Sequence, residues 1–310
     1  MTAHLRGVYP VLSTPFTADG DVDDEVLAQE IRWLIAHGVD GVTVAMVSEV
    51  LRLSPGERRH LTETTRAVLP PDVGLVVSVG AESTRIASEL ARHATDAGAT
   101  ALMAIPPISV GVDEGELFDY YAALFGATPL PVVVQDASGY IGRPMSVEFY
   151  VRLMQVFGDE RVCFKPEADP LGPRLSSLRD ATGGRARVFE GSGGGALVDS
   201  HRRGAVGTMP GPEVPWAIVP LWESLERGDQ ETAYRISAGL APLLALQTSL
   251  DSYVAVEKFL LRRQGVFTNA DARRPVAYRL DEETEQEVIR LTARLCSTVE
   301  ALSNGREEPR

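Results

Sequence analysis

Eight short runs of apolar residues recur at regular spacing along the first two thirds of the chain. The runs read VYPVLSTPF, GVTVA, GLVVSVG, TALMAIPP, PVVVQDA, RVCFKPEA, ARVFEG and AVGTMPG. Strict alternation of apolar and polar residues is typical of a sheet with one solvent-exposed face, and these runs lack it. Their pattern is typical of parallel strands that are covered by helices on both sides. Each run is therefore predicted to be a buried parallel strand.

The segments between these runs have the periodicity of amphipathic helices with recognisable ends. Ser54-Pro55-Gly56-Glu57 combines an N-cap serine, a proline at the first helical position and the glutamate of a capping box. Further N-caps are predicted at Asp23, Asp113 and Ser146. A glycine leads into the next strand three times, at Gly38, Gly98 and Gly204, so the chain is predicted to repeat a βα unit.

Eight such units predict a closed (β/α)₈ TIM barrel rather than a doubly wound sheet, which has fewer strands and a glycine-rich first turn. The predicted barrel covers residues 1–225 and would carry the catalytic site. Three amphipathic stretches of helical length follow and predict a C-terminal helical subdomain over residues 226–304. Residues 305–310 are polar and aperiodic, as expected of a frayed tail.

Composition argues against several classes of partner. The formal net charge of −13 offers no basic surface for nucleic acid or anionic lipid. No stretch reaches the roughly 18 apolar residues of a membrane span, and the opening MTAHLRGVYP does not have the pattern of a signal peptide. Two cysteines are too few for a disulfide framework. We expect a cytoplasmic protein with neither nucleic-acid nor membrane partners.

Lysine is scarce in this chain: only Lys165 and Lys258 occur among the 30 basic residues. Arginine supplies charge but cannot act as an amine nucleophile. Lys165 lies in a predicted buried strand, where desolvation favours the neutral amine that attacks a carbonyl to form a Schiff base. The alternative is a structural ion pair with Glu167 or Glu190. Lys258, on a predicted helix, is expected to be solvated or to extend its stem along the surface.

Reactive residues of a barrel cluster at the C-terminal ends of its strands. The predicted ends carry Ser13, Thr14, Ser48, Glu49, Glu82, Ser109, Gln135, Asp136, Lys165, Glu167, Glu190, Ser192 and Met209. No histidine stands among them, so neither a metal site nor a cofactor is predicted. The glycine-rich EGSGGGA that begins at Glu190 fits a phosphate cradle or a tight strand-to-helix turn, but no nucleotide fingerprint.

Several segments, taken in order, carry a family likeness. They are GVYPVLSTPFTADGDVD, SEVLRLSPGER, the proline pair at 106–107, the FK of the sixth strand, and GAVGTMPG. With them the chain resembles the dihydrodipicolinate synthase and N-acetylneuraminate lyase family of class I aldolases and dehydratases. The resemblance implies a barrel with a helical C-terminal subdomain, a homotetramer or homodimer, and Lys165 as the imine-forming lysine.

Departures from the family pattern bear on the substrate. The family's hydroxyl-bearing G-T/S-T-G-E motif reads A-M-V-S-E from Ala45 to Glu49. The proton-shuttling tyrosine of strand five is replaced by Gln135, whose amide cannot titrate, and the arginine that the synthase uses for its second substrate aligns near Tyr140. Together these features resemble the branch that dehydrates 2-keto-3-deoxy sugar acids, in particular 2-keto-3-deoxy-L-arabonate dehydratase.

The resulting hypothesis is dehydration of a small 2-oxo acid. Lys165 forms the imine, deprotonation of C3 gives an enamine, and the C4 hydroxyl leaves with help from a carboxylic acid. Glu167 is the first candidate for that acid because it is two residues from the lysine and shares its strand face; Glu190 and Asp136 follow. Gln135 is expected to orient the substrate.

The substrate carboxylate is predicted to bind at Ser48 together with the backbone donors of Met46 and Val47. Asp136, Glu190 and Gly191 complete the predicted substrate-binding residues. Glu49 is interpreted as either a cap or an ion-pair partner within the barrel, and Asp136 as either a site residue or a loop anchor.

Two other functions are compatible with the sequence. One is retro-aldol cleavage of a 2-keto-3-deoxy acid to pyruvate and an aldehyde, with water or Glu167 replacing the tyrosine; product identity separates it from dehydration. The other is a catalytically silent barrel that binds a 2-oxo acid. Tight binding without borohydride trapping would indicate the silent barrel.

Overall fold

The computed structural model describes residues 5–139 and 142–304. Within them lie eight parallel strands, β1 Gly7–Val8, β2 Gly41–Val44, β3 Gly74–Ser78, β4 Ala101–Ala104, β5 Val132–Asp136, β6 Val162–Pro166, β7 Arg187–Glu190 and β8 Ala205–Thr208. Seven of them fall inside one of the apolar runs, and β1 overlaps the first run at Val8. Tyr140 and the predicted tail at 305–310 lie outside the described residues.

Helices follow the strands around the outside. They are α1 Asp24–Ala36, α2 Pro55–Val68, α3 Thr84–Asp96, α4 Glu114–Ala127, α5 Val147–Phe157, α6 Leu171–Thr182, α7 Leu197–Arg202, α8 Pro215–Glu226, α9 Gln230–Leu244, α10 Leu250–Arg263 and α11 Glu282–Asn304. A single 3₁₀ turn, Met46–Ser48, follows β2.

The strands form one sheet in the order β1-β8-β7-β6-β5-β4-β3-β2. The seam between β1 and β2 is joined by a parallel bridge between Val11 and Thr43. The Leu12 amide donates to the Thr43 carbonyl, and the Thr43 amide to the Pro10 carbonyl, each at 2.8 Å. The sheet thus closes on itself, which confirms the predicted (β/α)₈ barrel.

Local signals account for the element ends. The side chains of the four predicted N-caps, Asp23, Ser54, Asp113 and Ser146, each accept a hydrogen bond from a backbone amide of the following helix. Gly38, Gly98 and Gly204 have φ values of 79°, 90° and 97°, a left-handed conformation that favours glycine. The predicted helix starts and glycine turns are therefore confirmed.

The period-two geometry of strand β6 decides where its side chains point. Cys163 packs inside the barrel with Tyr9 and Met103, whereas Phe164 packs in the layer between strands and helices. Lys165 lies two residues beyond Cys163 and shares its inward face. The fold therefore directs the amine toward the C-terminal mouth of the barrel.

Three helices follow the barrel's last helix. α9 packs against both α8 and α11, while α10 packs over the Met46–Ser48 turn at the barrel mouth. α10 thus brings residues that are late in the sequence to the strand ends where chemistry is expected. None of the helices in the two described ranges is long and apolar enough to cross a membrane.

Candidate active site

A cavity that is open to solvent lies at the C-terminal ends of the strands. It is lined by Val11, Ala45, Met46, Val47, Gln135, Lys165, Glu167, Gly191, Gly193, Met209, Pro210, Gly211, Leu250, Tyr253 and Glu257. Six of the nine residues predicted for the site are among them.

Lys165, Glu167 and Gln135 form a hydrogen-bonded trio in this cavity. The Lys165 Nζ donates to Glu167 Oε1 at 2.7 Å, and the Gln135 Nε2 donates to Glu167 Oε2 at 2.7 Å. Gln135 and Lys165 are direct partners in the ladder between β5 and β6, so the two side chains meet across adjacent strands. The Gln135 Oε1 has no partner among the described residues and can accept a hydrogen bond from a substrate.

Burial governs the protonation of Glu167. Desolvation raises the pKa of this carboxyl, while the Lys165 charge and the hydrogen bonds from Lys165 and Gln135 oppose the shift. The net pKa lies above the ordinary value. A carboxyl so placed exchanges protons more readily near neutral pH than a solvated one, as general acid–base catalysis requires.

Gly191 leaves the space in which the Lys165 amine lies. A methyl group at this position would come within 2.8 Å of the Lys165 Nζ and 2.9 Å of Glu167 Oε1. These distances are shorter than van der Waals contact, so any side chain here would displace the amine or the carboxylate. Gly191 therefore shapes the cavity beside the reactive pair.

The 3₁₀ turn after β2 supplies a candidate carboxylate site. The first amide groups of such a turn have no partner within it, and Met46 and Val47 line the cavity. The Ser48 hydroxyl is used within the protein: it accepts from the Ala45 amide at 3.0 Å and donates to the Leu12 carbonyl. Ser48 thus holds the turn, and direct contact between Ser48 and a substrate stays a prediction.

Asp136 and Glu190 also lie outside the cavity lining. Asp136 follows the inward Gln135 and points to the opposite face, where it accepts from the Met145 amide and the Tyr150 hydroxyl, both at 2.9 Å. Glu190 accepts from the Gly194 amide at 3.1 Å and the Thr208 hydroxyl at 2.7 Å. Both carboxylates anchor neighbouring segments of the chain, and their roles in substrate binding stay predictions.

The prediction that Lys258 is solvated is wrong. Its side chain is fully buried and donates to Glu49, to the Thr14 carbonyl at 2.7 Å and to the Asp271 carbonyl at 2.7 Å. Desolvation lowers the pKa of Lys258, and the Glu49 carboxylate opposes that shift. Lys258 ties α10 to the segment after the Met46–Ser48 turn, in which Glu49 adopts a left-handed φ of 59°.

One face of α10 adds cavity residues that sequence reasoning missed. Leu250, Tyr253 and Glu257 line the cavity, and the Tyr253 ring lies against Gly193. Their spacing of three and four residues places them on one helix face. That spacing was a signal in the sequence, but nothing local indicated that this face covers the barrel mouth.

Comparison with known proteins assigns the family. The profile of the Dihydrodipicolinate synthetase family matches residues 4–294. The chain belongs to this family. Its relatives include proteins named as dehydratases and aldolases, and the chain is accordingly a lyase.

Individual relatives extend over nearly the whole chain. L-2-keto-3-deoxyarabonate dehydratase of Azospirillum brasilense is 29% identical over 95% of this chain and 96% of its own length. A probable 2-dehydro-3-deoxy-D-pentonate aldolase of Escherichia coli K12 is 25% identical over 93% and 97%. Among solved structures, the sialic acid aldolase of Ruminococcus gnavus superimposes with a TM-score of 0.86 at 21% identity, covering 96% of this chain and 99% of that one; this likeness bears on the fold alone.

Proposed function

We propose that this enzyme dehydrates a 2-keto-3-deoxy sugar acid through a Schiff base on Lys165. The observation that carries the proposal is the buried trio in which Glu167 lies within hydrogen-bond distance of both the Lys165 amine and the Gln135 amide. A nucleophilic amine and a carboxyl able to exchange protons thus share one small cavity. The similarity to a 2-keto-3-deoxyarabonate dehydratase supports the same substrate class.

The reaction begins when the neutral Lys165 amine attacks C2 of the 2-oxo acid. With one proton taken up from solvent, the C2 oxygen leaves as water and a protonated imine remains. This imine withdraws electrons and acidifies C3. Glu167, as carboxylate, removes a C3 proton to form the enamine, then returns that proton to the C4 hydroxyl as the C3–C4 double bond forms and water departs. Hydrolysis of the conjugated imine releases the unsaturated 2-oxo acid and regenerates Lys165.

Gln135 favours dehydration over carbon–carbon cleavage. Cleavage requires a base that takes the proton from the C4 hydroxyl, and an amide cannot serve as that base in the working pH range. The free Gln135 Oε1 can instead accept a hydrogen bond from a substrate hydroxyl and orient it. The backbone amides of Met46 and Val47 would bind the substrate carboxylate, which is attached to C2.

The test compares the wild type with Glu167→Gln on 2-keto-3-deoxy pentonates and hexonates. We expect the wild type to release water without releasing aldehyde. The variant should lose about 10²–10⁴-fold in kcat, the usual contribution of a general acid–base, while pyruvate still forms an imine with Lys165. Turnover of the variant within threefold of the wild type would contradict the assigned role of Glu167.

A specific observation keeps retro-aldol cleavage as the second candidate. Tyr253 lines the cavity from α10 and brings a phenol to a site from which the strand-five tyrosine is missing. The same assays decide: pyruvate and an aldehyde as products, lost in Tyr253→Phe, would establish cleavage and contradict dehydration.

A further inference from the structure

Two buried glutamates outside the catalytic trio lie close together beside the cavity. Glu257 Oε1 and Glu213 Oε2 are both next to Gly211, and a methyl group at that glycine would collide with both. Glu257 and Gly211 line the same cavity as Lys165. Glu257 is therefore part of the cavity wall, with Glu213 next to it, although the chemistry at Lys165 uses neither.

These two oxygens are unpaired in the protein. Neither Glu257 Oε1 nor Glu213 Oε2 has a hydrogen-bond partner among the described residues. The other oxygens are occupied: Glu257 Oε2 accepts from the Ser13 hydroxyl and Glu213 Oε1 from the Gln247 amide, each at 3.3 Å. Both side chains are nearly inaccessible to solvent. A buried polar atom without a partner is costly, so these two oxygens are suited to bind a polar ligand.

Ionisation of both carboxyls at once is unfavourable. Burial raises the pKa of Glu213, and burial together with the neighbouring Glu213 raises the pKa of Glu257 well above its usual value. Because like charges in one low-dielectric site repel strongly, one of the two carboxyls keeps its proton. The pair thus presents a proton donor and acceptor oxygens side by side.

A proton donor beside acceptor oxygens favours one class of ligand. A hydroxyl group both donates and accepts hydrogen bonds and matches such a pair. A carboxylate would be repelled by the remaining negative charge, and an apolar group would leave the buried oxygens unsatisfied. The part of the substrate that lies here therefore carries hydroxyl groups and no charge.

We propose that Glu257, with Glu213 next to it, forms a hydroxyl-binding subsite that recognises the polyol chain of the substrate. The proposal rests on the proposed function, because it assumes a 2-oxo acid held by Lys165. It makes Glu257 a specificity-determining residue and predicts that the enzyme prefers a hydroxylated 2-oxo acid to pyruvate.

The experiment is a competition for the imine. The enzyme is mixed with ¹³C-labelled pyruvate and an unlabelled 2-keto-3-deoxy acid, reduced with borohydride at early times, and the adducts on Lys165 are weighed by mass spectrometry. In Glu257→Leu the ratio of hydroxylated to pyruvate adduct should fall about tenfold or more, the loss expected for a hydrogen bond to a charged group. Glu257→Gln, which conserves shape, should shift the ratio in the same direction by a smaller factor.

Asp40→Asn serves as the control. Burial also raises the pKa of the Asp40 carboxyl, but Asp40 precedes β2 at the N-terminal end of the barrel and is not part of the cavity lining, so its substitution should leave the adduct ratio unchanged. Ratios within threefold of wild type in both Glu257 variants would overturn the subsite. Absence of every adduct in the wild type would instead overturn the proposed imine chemistry, so the two failures are distinguishable.

Discussion

The space around the Lys165 amine depends on the neighbouring residue, Gly191. Gly191 contributes no side chain, and the amine and the Glu167 carboxylate occupy the space that a side chain would take. A reactive amine in a barrel depends on such small neighbours as much as on its own burial. A substitution at Gly191 therefore tests the site sterically without replacing Lys165 or Glu167.

Gly191→Ala should reduce imine formation with pyruvate by at least tenfold, because the added methyl group overlaps the Lys165 Nζ and Glu167 Oε1 positions. The rate of borohydride-dependent adduct formation measures this. Gly126→Ala is the control, since a methyl group there meets nothing within 4 Å and the position is helical. Equal rates in both variants would contradict the tight packing around the amine.

Sequence alone predicted some of these residues better than others. Period two along a strand placed Lys165 and Glu167 on one face, and the ion pair between them was foreseen as an alternative to catalysis. The same rule, applied strictly, would have directed Asp136 away from the site, because it follows Gln135. The burial of Lys258 could not be read locally, because its partner Glu49 lies 209 residues away in the chain.

Among the elements, α10 and the 3₁₀ turn after β2 act together. Leu250, Tyr253 and Glu257 of α10 form one side of the cavity, and Lys258 of the same helix binds Glu49 at the end of the turn. Met46 and Val47 of the turn line the cavity, so this buried contact helps to fix one of the cavity walls. Helix propensity and capping predict that α10 forms; they do not predict where it docks.

Lys258→Met should lower the free energy of unfolding by about 3–5 kcal/mol, the cost of leaving one member of a buried ion pair uncompensated. Urea denaturation measures it. Arg85→Ala, which breaks the exposed pair with Glu89, should cost less than about 1 kcal/mol. If Lys258→Met lowered the free energy of unfolding by as little as Arg85→Ala does, that result would contradict a stabilising ion pair between α10 and the turn.

At the scale of the whole molecule, repetition made the fold predictable. Eight apolar runs with helical segments between them predict a closed barrel. Parallel strands are joined by crossover helices, and their sheet is buried on both faces. The cavity was only partly predictable. Its strand-end residues follow from the repeat, whereas the wall made by α10 arises from packing between distant parts of the chain.

The most direct test of the central claim is reductive trapping of the whole enzyme with pyruvate and borohydride, followed by peptide mass spectrometry. Because the chain contains only two lysines, the site of the adduct is unambiguous. We expect one reduced adduct, on Lys165, and none in Lys165→Arg. An adduct on Lys258, or no adduct with pyruvate or any 2-keto-3-deoxy acid, would contradict Schiff-base catalysis by Lys165.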